Sequence, residues 1–438
     1  MTDAETTGPM APSPAHEPPA SPDPTSGPAP EAPETTALRE PADGIPPVVE
    51  TPEALDRVVA AFAQGHGPVA VDAERASGYR YGQHNFLVQL RRAGAGTALI
   101  DPVALPDLSA LNEALDGVEW VLHAASQDLA ALAEQGLVPS TIFDTELAAR
   151  ILGLERVGLA AVVAEVLGLG LAKEHSAVDW STRPLPEDWL RYAALDVEVL
   201  VELRDRMAER LEAAGKAEWA RQEFEAVRLA APPAPRVDPW RRVSGTHALR
   251  GRRQLAVVRE LWVTREDNAR KRDISPGRVL PDRAIIAAAT ALPRTLPQLV
   301  ALPAFSGRGT QRRATLWMAA IDRAMALPEE ELPSTRGPRS DAPPPPRAWA
   351  DRDPLAAARL EAARAVVAAA SAEHGTPLEN LLQPDALRRL CWTPPTPIDA
   401  VSVGAFLAGR GARPWQVDLL AAPLAAALLD PPPPAPAE

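Results

Sequence analysis

Proline placement constrains this chain more than any other feature of it. Of 438 residues 49 are proline, and they crowd residues 9–52, 232–239, 343–346 and 431–436. Proline locks φ and removes a backbone donor, so packed helices and strands are hard to sustain in such stretches. They read as tails and linkers, and the blocks between them as domains. At 46% hydrophobic residues the chain can bury an enzyme-sized core plus one or two smaller ones. The single cysteine, Cys391, excludes an internal disulfide or a multi-cysteine metal site and fits a reducing compartment. The opening MTDAETTGPM has no apolar core of the secretory kind, and no later apolar run reaches membrane-spanning length without a charge or proline. A cytoplasmic protein without a membrane partner is expected.

A net charge of -13 argues, taken alone, against a polyanionic partner. The average hides two opposed regions. Residues 1–50 hold nine carboxylates and one arginine, whereas residues 236–283 hold thirteen basic and six acidic side chains. An acidic tail and a basic module are being summed. Lysine occurs only at Lys173, Lys216 and Lys271 against many arginines, a compositional bias that weakens propensity as a guide and leaves periodicity to carry the reading.

Apolar and alternating runs at 68–74, 85–92, 97–101 and 119–123 have strand length and composition. The glycines between the second and third predict a hairpin, so part of the sheet is antiparallel. Helical periodicity follows at 107–115, 127–135, 144–152, 159–167 and 186–214, which makes the block to about residue 230 an α/β domain. Beyond the prolines near 232 no strand run survives. Helices are expected at 249–271, 282–291 and 311–325, then after the tract at 343–346 a second helical set at 354–374, 378–390, 401–409 and 414–429. The segment SAEHGTPLENLLQPDALRRL in the second set and ARKRDISPGRVLPDRAIIAAA in the first suggest similar architectures.

Three motifs carry chemistry. In VDAER, Asp72 and Glu74 lie two apart at the end of an apolar strand and so share one face of the sheet. Such a pair can share a divalent cation, or it can simply be solvated at a strand end. In VLHAASQDLAAL, a strand ends at His123, Ser126 can cap a helix, and Asp128 falls in its first turn, a placement that stability alone also explains. In DWLRYAALDVEVLVEL, Tyr192 and Asp196 stand four apart on one helix face, with Leu190, Leu195, Val199 and Leu203 as core positions. His123 reads as a core or supporting histidine. His84 and His175 have no partner at a zinc spacing. Tyr79, Tyr81 and Phe86 can stack on a base, Phe86 equally well being core.

Together Asp72, Glu74, Asp128, Tyr192 and Asp196 resemble the ordered acidic motifs of exonucleases with a ribonuclease H-like fold, in the subgroup marked by the tyrosine. The likeness extends through FDTELAARILG and LGLGLAKEHSAVDWSTRPLPEDWLRYAALDVEVL, and over residues 47–230 the chain resembles the ribonuclease D family. REDNARKRDISPGRVLPDRAI is similar to the HRDC domain that follows the nuclease there. This resemblance implies an α/β fold, a ribonuclease H-like exonuclease domain with a mixed sheet, followed by two small all-α domains, HRDC and HRDC-like. The implied boundaries are an acidic, Pro-rich, disordered tail at 1–46, the exonuclease at 47–230, a linker at 231–244, HRDC at 245–327, a Pro-rich linker at 328–350, the HRDC-like domain at 351–430 and a tail at 431–438. One departure stands out: Gly82, Gln83 and His84 replace a more apolar, proline-containing stretch, although Tyr81 and Gln89 are kept.

By the same resemblance, Asp72, Glu74, Asp128 and Asp196 hold two divalent ions, magnesium or manganese, and Tyr192 orients the attacking water, so that a monomeric enzyme trims RNA 3′ ends, transfer RNA precursors among them, to nucleoside 5′-monophosphates. Tyr81, Arg250, Arg252, Arg253, Arg270, Lys271, Arg272 and Arg278 are the expected nucleic-acid contacts, a solvated helix face being the alternative for the basic ones. A DNA-directed 3′-5′ exonuclease in repair and a nucleic-acid-binding protein without activity are the other readings of the same motifs.

Overall fold

An apolar ten-residue strand organises the first domain of the computed structural model, which describes residues 35–171, 175, 177–231, 235–337 and 341–431. The strands in chain order are β1 (Thr36–Ala37), β2 (Val48–Val49), β3 (His66–Arg75), β4 (Asn85–Ala93), β5 (Gly96–Ile100), β6 (Glu119–Leu122), β7 (Thr141–Asp144) and β8 (Leu169–Gly170). Six of them form a sheet in the order β2-β5-β4-β3-β6-β7. The pairs β3–β4 and β4–β5 are antiparallel, and β2–β5, β3–β6 and β6–β7 are parallel. The mixed sheet and the hairpin are as the sequence predicts. Gly94 and Gly96 close that hairpin at φ 82° and 79°, a left-handed backbone that side chains with a Cβ disfavour. The short strands β2 and β7 escape a periodicity reading because two to four residues are too few to alternate.

Ordered chain begins earlier than the expected boundary at residue 46. From Thr35 onward it pairs β1 in parallel with β8 and buries Pro41 against the domain. A run of polar and proline residues hides this, because its order comes from strands and helices far along the chain. The disorder expected of residues 1–34 and 432–438 falls outside the described residues.

The helices of this domain are α1 (Pro52–Gln64), α2 (Ser109–Ala114), α3 (Leu129–Ala133), α4 (Thr145–Leu152), α5 (Leu159–Leu167), α6 (Glu187–Glu198), α7 (Leu200–Ala213) and α8 (Ala217–Arg228). The helix expected over 186–214 is thus two, separated at Val199, and α8 is additional. Alternation along β3 sets the two faces of the sheet. Val69, Val71 and Ala73 enter the main core with Phe62, Leu132 and Met207. Ala70 points the other way, against Val121, Val197 and Leu200, and beside it Leu87 and Leu99 pack on Ala193 and Ala194 of α6. Alanines at 70, 193 and 194 let α6 lie close on the sheet, over the face that also carries residues 72 and 74.

Two helical domains follow with the similar architectures expected of them. The first opens with α9 (Arg252–Arg272), the second with the helix Pro354–His374, each of 21 residues. Each helix ends on a left-handed residue, Asp273 at φ 49° and Gly375 at φ 61°, and is followed by a four-residue helix, Pro276–Val279 or Leu378–Leu381. Further helices, Asp282–Ala291 and Pro384–Trp392, come next. Trp317, Phe305 and Leu261 centre one core, Trp349, Leu390 and Leu424 the other. Among the described residues no helix is long and apolar enough to cross a membrane.

Candidate active site

Because β3 and β6 run parallel, their carboxyl ends lie side by side, and the acidic residues gather there. Asp72 and Glu74 project from β3 toward α6, and α6 turns Tyr192 and Asp196 back to meet them one helical turn apart. Carboxylate oxygens of Asp72, Glu74 and Asp196 lie within 4.8 Å of one another, and the Tyr192 phenol sits close enough to Asp196 for its charge to act on it. Gln89 faces Asp72 directly across the β3–β4 ladder and donates from Nε2 to Asp72 Oδ2 at 3.0 Å. Gln89 is fully buried, and its own Oε1 has no partner among the described residues.

Asp128 sits outside that triad of oxygens and is brought up by the loop beyond β6. Ala124 there adopts φ 62°, and Asp144, at the end of β7, accepts from the N–H groups of Ala124 at 3.0 Å and Ala125 at 2.9 Å. The same carboxylate caps α4 through the N–H groups of Glu146 and Leu147. Asp144 is therefore a positioning residue that a reading of caps alone explains only by half, and its double duty is invisible without the β6–β7 pairing. Ser126 makes no capping bond, in contrast to the expectation; Asp128 itself is the residue before α3. Arg75 bonds the Gln127 carbonyl and lies 3.3 Å from Asp128 Oδ1, a partner that the sequence did not single out.

Burial shapes the electrostatics. It pushes the carboxyls of Asp72, Glu74 and Asp196 above their usual range, with mutual repulsion adding to the effect on Glu74 and Asp196. Asp128 is pushed up to about 8 by burial and then by the charge on Asp72, Arg75 opposing both. Burial and the neighbouring carboxylates also raise the Tyr192 phenol. Four crowded, mostly buried carboxyls with one orphaned amide oxygen form an oxygen-only donor set, which fits hard divalent cations. His123 takes the opposite path: burial lowers it to about 4, and Nδ1 meets Thr145 Oγ1 at 2.9 Å, the supporting role expected of it.

Several side chains expected to contact nucleic acid also make contacts within the protein. The loop after Glu74 clips onto the first helical domain: Tyr81 packs against that domain's core, its N–H reaches Asp273 at 3.2 Å, and its hydroxyl accepts from Arg270 at 3.2 Å. Arg278 stacks 4.0 Å from the Tyr79 ring centre and donates to the Gly78 carbonyl at 2.7 Å. Arg252 and Arg253 donate to main-chain carbonyls between Ala324 and Pro333, and Arg250 to His247. These guanidiniums satisfy helix ends and loops, which a count of basic residues cannot foresee. Lys271 and Arg272 remain exposed, and Arg313 lies within reach of the charges on Arg272 and Arg312.

Comparison with known proteins places this geometry. Residues 46–212 match the family model of 3′-5′ exonucleases, residues 254–321 the HRDC domain, and residues 342–428 a 3′ to 5′ exonuclease C-terminal domain. The ribonuclease D of Acidiphilium cryptum is 34% identical over 314 residues, covering 68% of this chain and 77% of its own. The chain belongs to the ribonuclease D family. Across the curated ribonuclease D relatives it spans between 55% and 77% of their length. A crystal structure of a protein from Bifidobacterium adolescentis superposes with a TM-score of 0.84 at 40% identity, covering 91% of this chain and all (100%) of that one. That of Escherichia coli ribonuclease D, an exoribonuclease involved in structured RNA processing, gives 0.61 at 27% identity, covering 85% of this chain and 98% of that one. The activity of this family, 3′-5′ exoribonucleolytic hydrolysis, is the chemistry that the carboxylate cluster suits, and exonuclease domains of this type use divalent metals.

Proposed function

We propose that this ribonuclease D family member trims structured RNA from its 3′ end, transfer RNA precursors included, using two magnesium or manganese ions and releasing nucleoside 5′-monophosphates. The observation that carries this reading is the convergence of Asp72, Glu74 and Asp196 within 4.8 Å below Tyr192. Asp72, Glu74 and Asp196 would hold one ion, Asp72 and Asp128 the other. When bound, such a pair supplies charge stabilisation on both sides of the scissile phosphodiester and an acidified water. The protein's own part is orientation and proton handling. With its phenol raised, Tyr192 keeps its proton at working pH, so its hydroxyl serves to orient water beside Asp196. Asp144 and Arg75 keep Asp128 in place before the substrate arrives. Lys271 and Arg272, with Arg312 and Arg313 beside them, provide an exposed basic surface for the RNA backbone. A cytoplasmic setting is part of this reading; Cys391, buried with its thiol pushed up to about 12, is inert there.

A 5′-labelled RNA with a structured body and a single-stranded 3′ tail, compared with its DNA counterpart, tests the proposal. The wild-type chain is expected to shorten the RNA stepwise in magnesium and to leave the DNA largely intact. Asp72→Asn and Asp196→Asn are each expected to lower kcat by at least about a thousandfold, since every one of these ligands serves the same charge-stabilising centre. Metal-dependent shortening that survives either change would discard the assignment, and equal digestion of DNA would favour the repair reading.

A further inference from the structure

Residues 35–43 precede the stretch matched by the exonuclease family model, which starts at residue 46, yet they help to wall the active site. A cavity of about 460 Å3 opens beside Tyr192 and Asp196, and Leu38, Arg39, Leu171 and Arg191 complete its sides. The segment that delivers Leu38 and Arg39 is anchored on both flanks. Before them, Thr36 donates to the Gly168 carbonyl at 2.9 Å, and Leu38 donates to that of Gly170 at 3.0 Å. After them, Glu40 pairs with Arg191 at 2.9 Å, the Ala42 N–H reaches the Glu198 carboxylate at 2.9 Å, and Asp43 pairs with Arg91 at 2.8 Å. Leu38 packs against the main core, so Arg39 is carried on a backbone with little freedom to move.

The two arginines of this cavity differ in charge balance. Arg191 is matched by three carboxylates, Glu40, Glu187 and Asp188, at 2.9, 3.0 and 2.5 Å. Arg39 is exposed and makes no hydrogen bond or ion pair with any described residue. A guanidinium at the rim of a pocket, without a counter-ion among the described residues, is not committed to a contact within the described fold. It is well explained as a contact for an anion that arrives from solvent, and a guanidinium presents two parallel donors to phosphate oxygens. The pocket is of nucleotide size and borders the residues expected to work on the scissile bond.

We propose that Arg39 is a substrate-binding residue of this enzyme, holding a backbone phosphate of the RNA whose 3′ end lies at Asp72, Glu74 and Asp196. The inference rests on the function proposed above. It assigns to the segment before the family's matched domain a direct share in substrate affinity. The contact belongs to the RNA chain, so it acts on binding and leaves the chemical step unchanged.

Steady-state digestion of a 5′-labelled oligoribonucleotide in magnesium is compared for wild type, Arg39→Ala, Arg39→Lys and, as a control on an exposed arginine of α1, Arg57→Ala. Arg39→Ala is expected to raise KM by about tenfold, the scale of one charge-assisted contact, with kcat within about twofold of wild type. Arg39→Lys recovers most of the loss because the charge is kept, and Arg57→Ala behaves as wild type. The dependence of log(kcat/KM) on log salt becomes shallower by about 0.7 in Arg39→Ala, as for one phosphate contact to a single strand. A KM and salt slope equal to wild type in Arg39→Ala would overturn the inference. So would a fall in kcat accompanied by a lowered melting temperature and no rescue by lysine, which marks a structural role. Absence of RNA shortening by the wild-type protein is a different outcome and would count against the proposed function itself.

Discussion

Protons occupy the site when cations do not. Asp128 is pushed up to about 8 by burial and by the charge of Asp72, whereas an aspartate in an unfolded chain titrates near about 4. A folded value above the unfolded one means that the native state holds the extra proton between those limits. Its contribution to stability is complete below about pH 4 and is lost as pH rises through about 8. Without metal, therefore, wild type should melt progressively lower relative to Asp128→Asn as pH climbs from about 5 to about 8. On the function proposed, magnesium would bind the deprotonated carboxylates, so in its presence the order is expected to reverse at the upper end. Paired thermal melts with EDTA and with magnesium check this, and a difference between the two proteins that ignores pH would refute it. At this scale the sequence was informative about residue type and less so about surroundings. Asp72, Glu74, Tyr192 and Asp196 were legible because strand and helix periods put each pair on one face. That Tyr81, Arg252 and Arg278 also meet a core, a carbonyl or a ring of the same chain shows only in their packing.

Among the secondary elements, the loop between β6 and α3 is the least self-sufficient part of the site. Asp128 rests on a left-handed Ala124 and on two N–H groups turned toward Asp144, so the hold comes from the neighbouring strand. Asp144→Ala leaves four N–H groups without their acceptor, two of them in the helix cap of α4. A stability loss of about 2–4 kcal/mol is expected from the cap and the buried donors together. Activity should fall with it through kcat, by roughly tenfold, while KM for RNA stays near wild type, because this side chain is buried away from solvent. Asp144→Asn, which keeps an acceptor, should recover part of both. Denaturant melts and single-turnover rates decide the matter, and an unchanged kcat in a folded Asp144→Ala protein would remove the positioning role. The strand β7 that carries Asp144 was not legible beforehand, since TIFD is too short for alternation and is made a strand only by pairing with β6.

At the level of the whole molecule, the C-terminal helical domain is fastened to the exonuclease by close backbone approach and aromatic stacking. A Cβ added at Gly153, where φ is 80°, would meet the Gly375 carbonyl oxygen at 1.9 Å. Close by, Lys216 Nζ donates to the carbonyl of Ile151 at 2.7 Å and of His374 at 2.5 Å, and Trp219 stacks on Trp415 with ring centres 4.4 Å apart. Gly153→Ala should therefore force the two domains apart, lowering stability by more than about 1 kcal/mol from the backbone alone and speeding proteolysis of the 341–353 connection. Protease digestion followed by mass spectrometry measures it; a cleavage rate equal to wild type would show that the contact is dispensable. On the other side, Tyr79, Arg80 and Tyr81 tie the exonuclease to the first helical domain through Asp273, Ser275 and Arg278.

The order of residues alone gave the main outline: period two and period 3.6 marked the main strands and helices, and the spacing of acidic residues pointed to the right family. It did not give long-range proximity. That residues 35–43 line the pocket beside Tyr192, that β7 completes the sheet and steadies Asp128, and that several of the basic side chains bond to carbonyls and rings of the same chain depended on partners from far along the chain. Periodicity describes which face a residue occupies on its own element; what that face meets is decided when the elements pack.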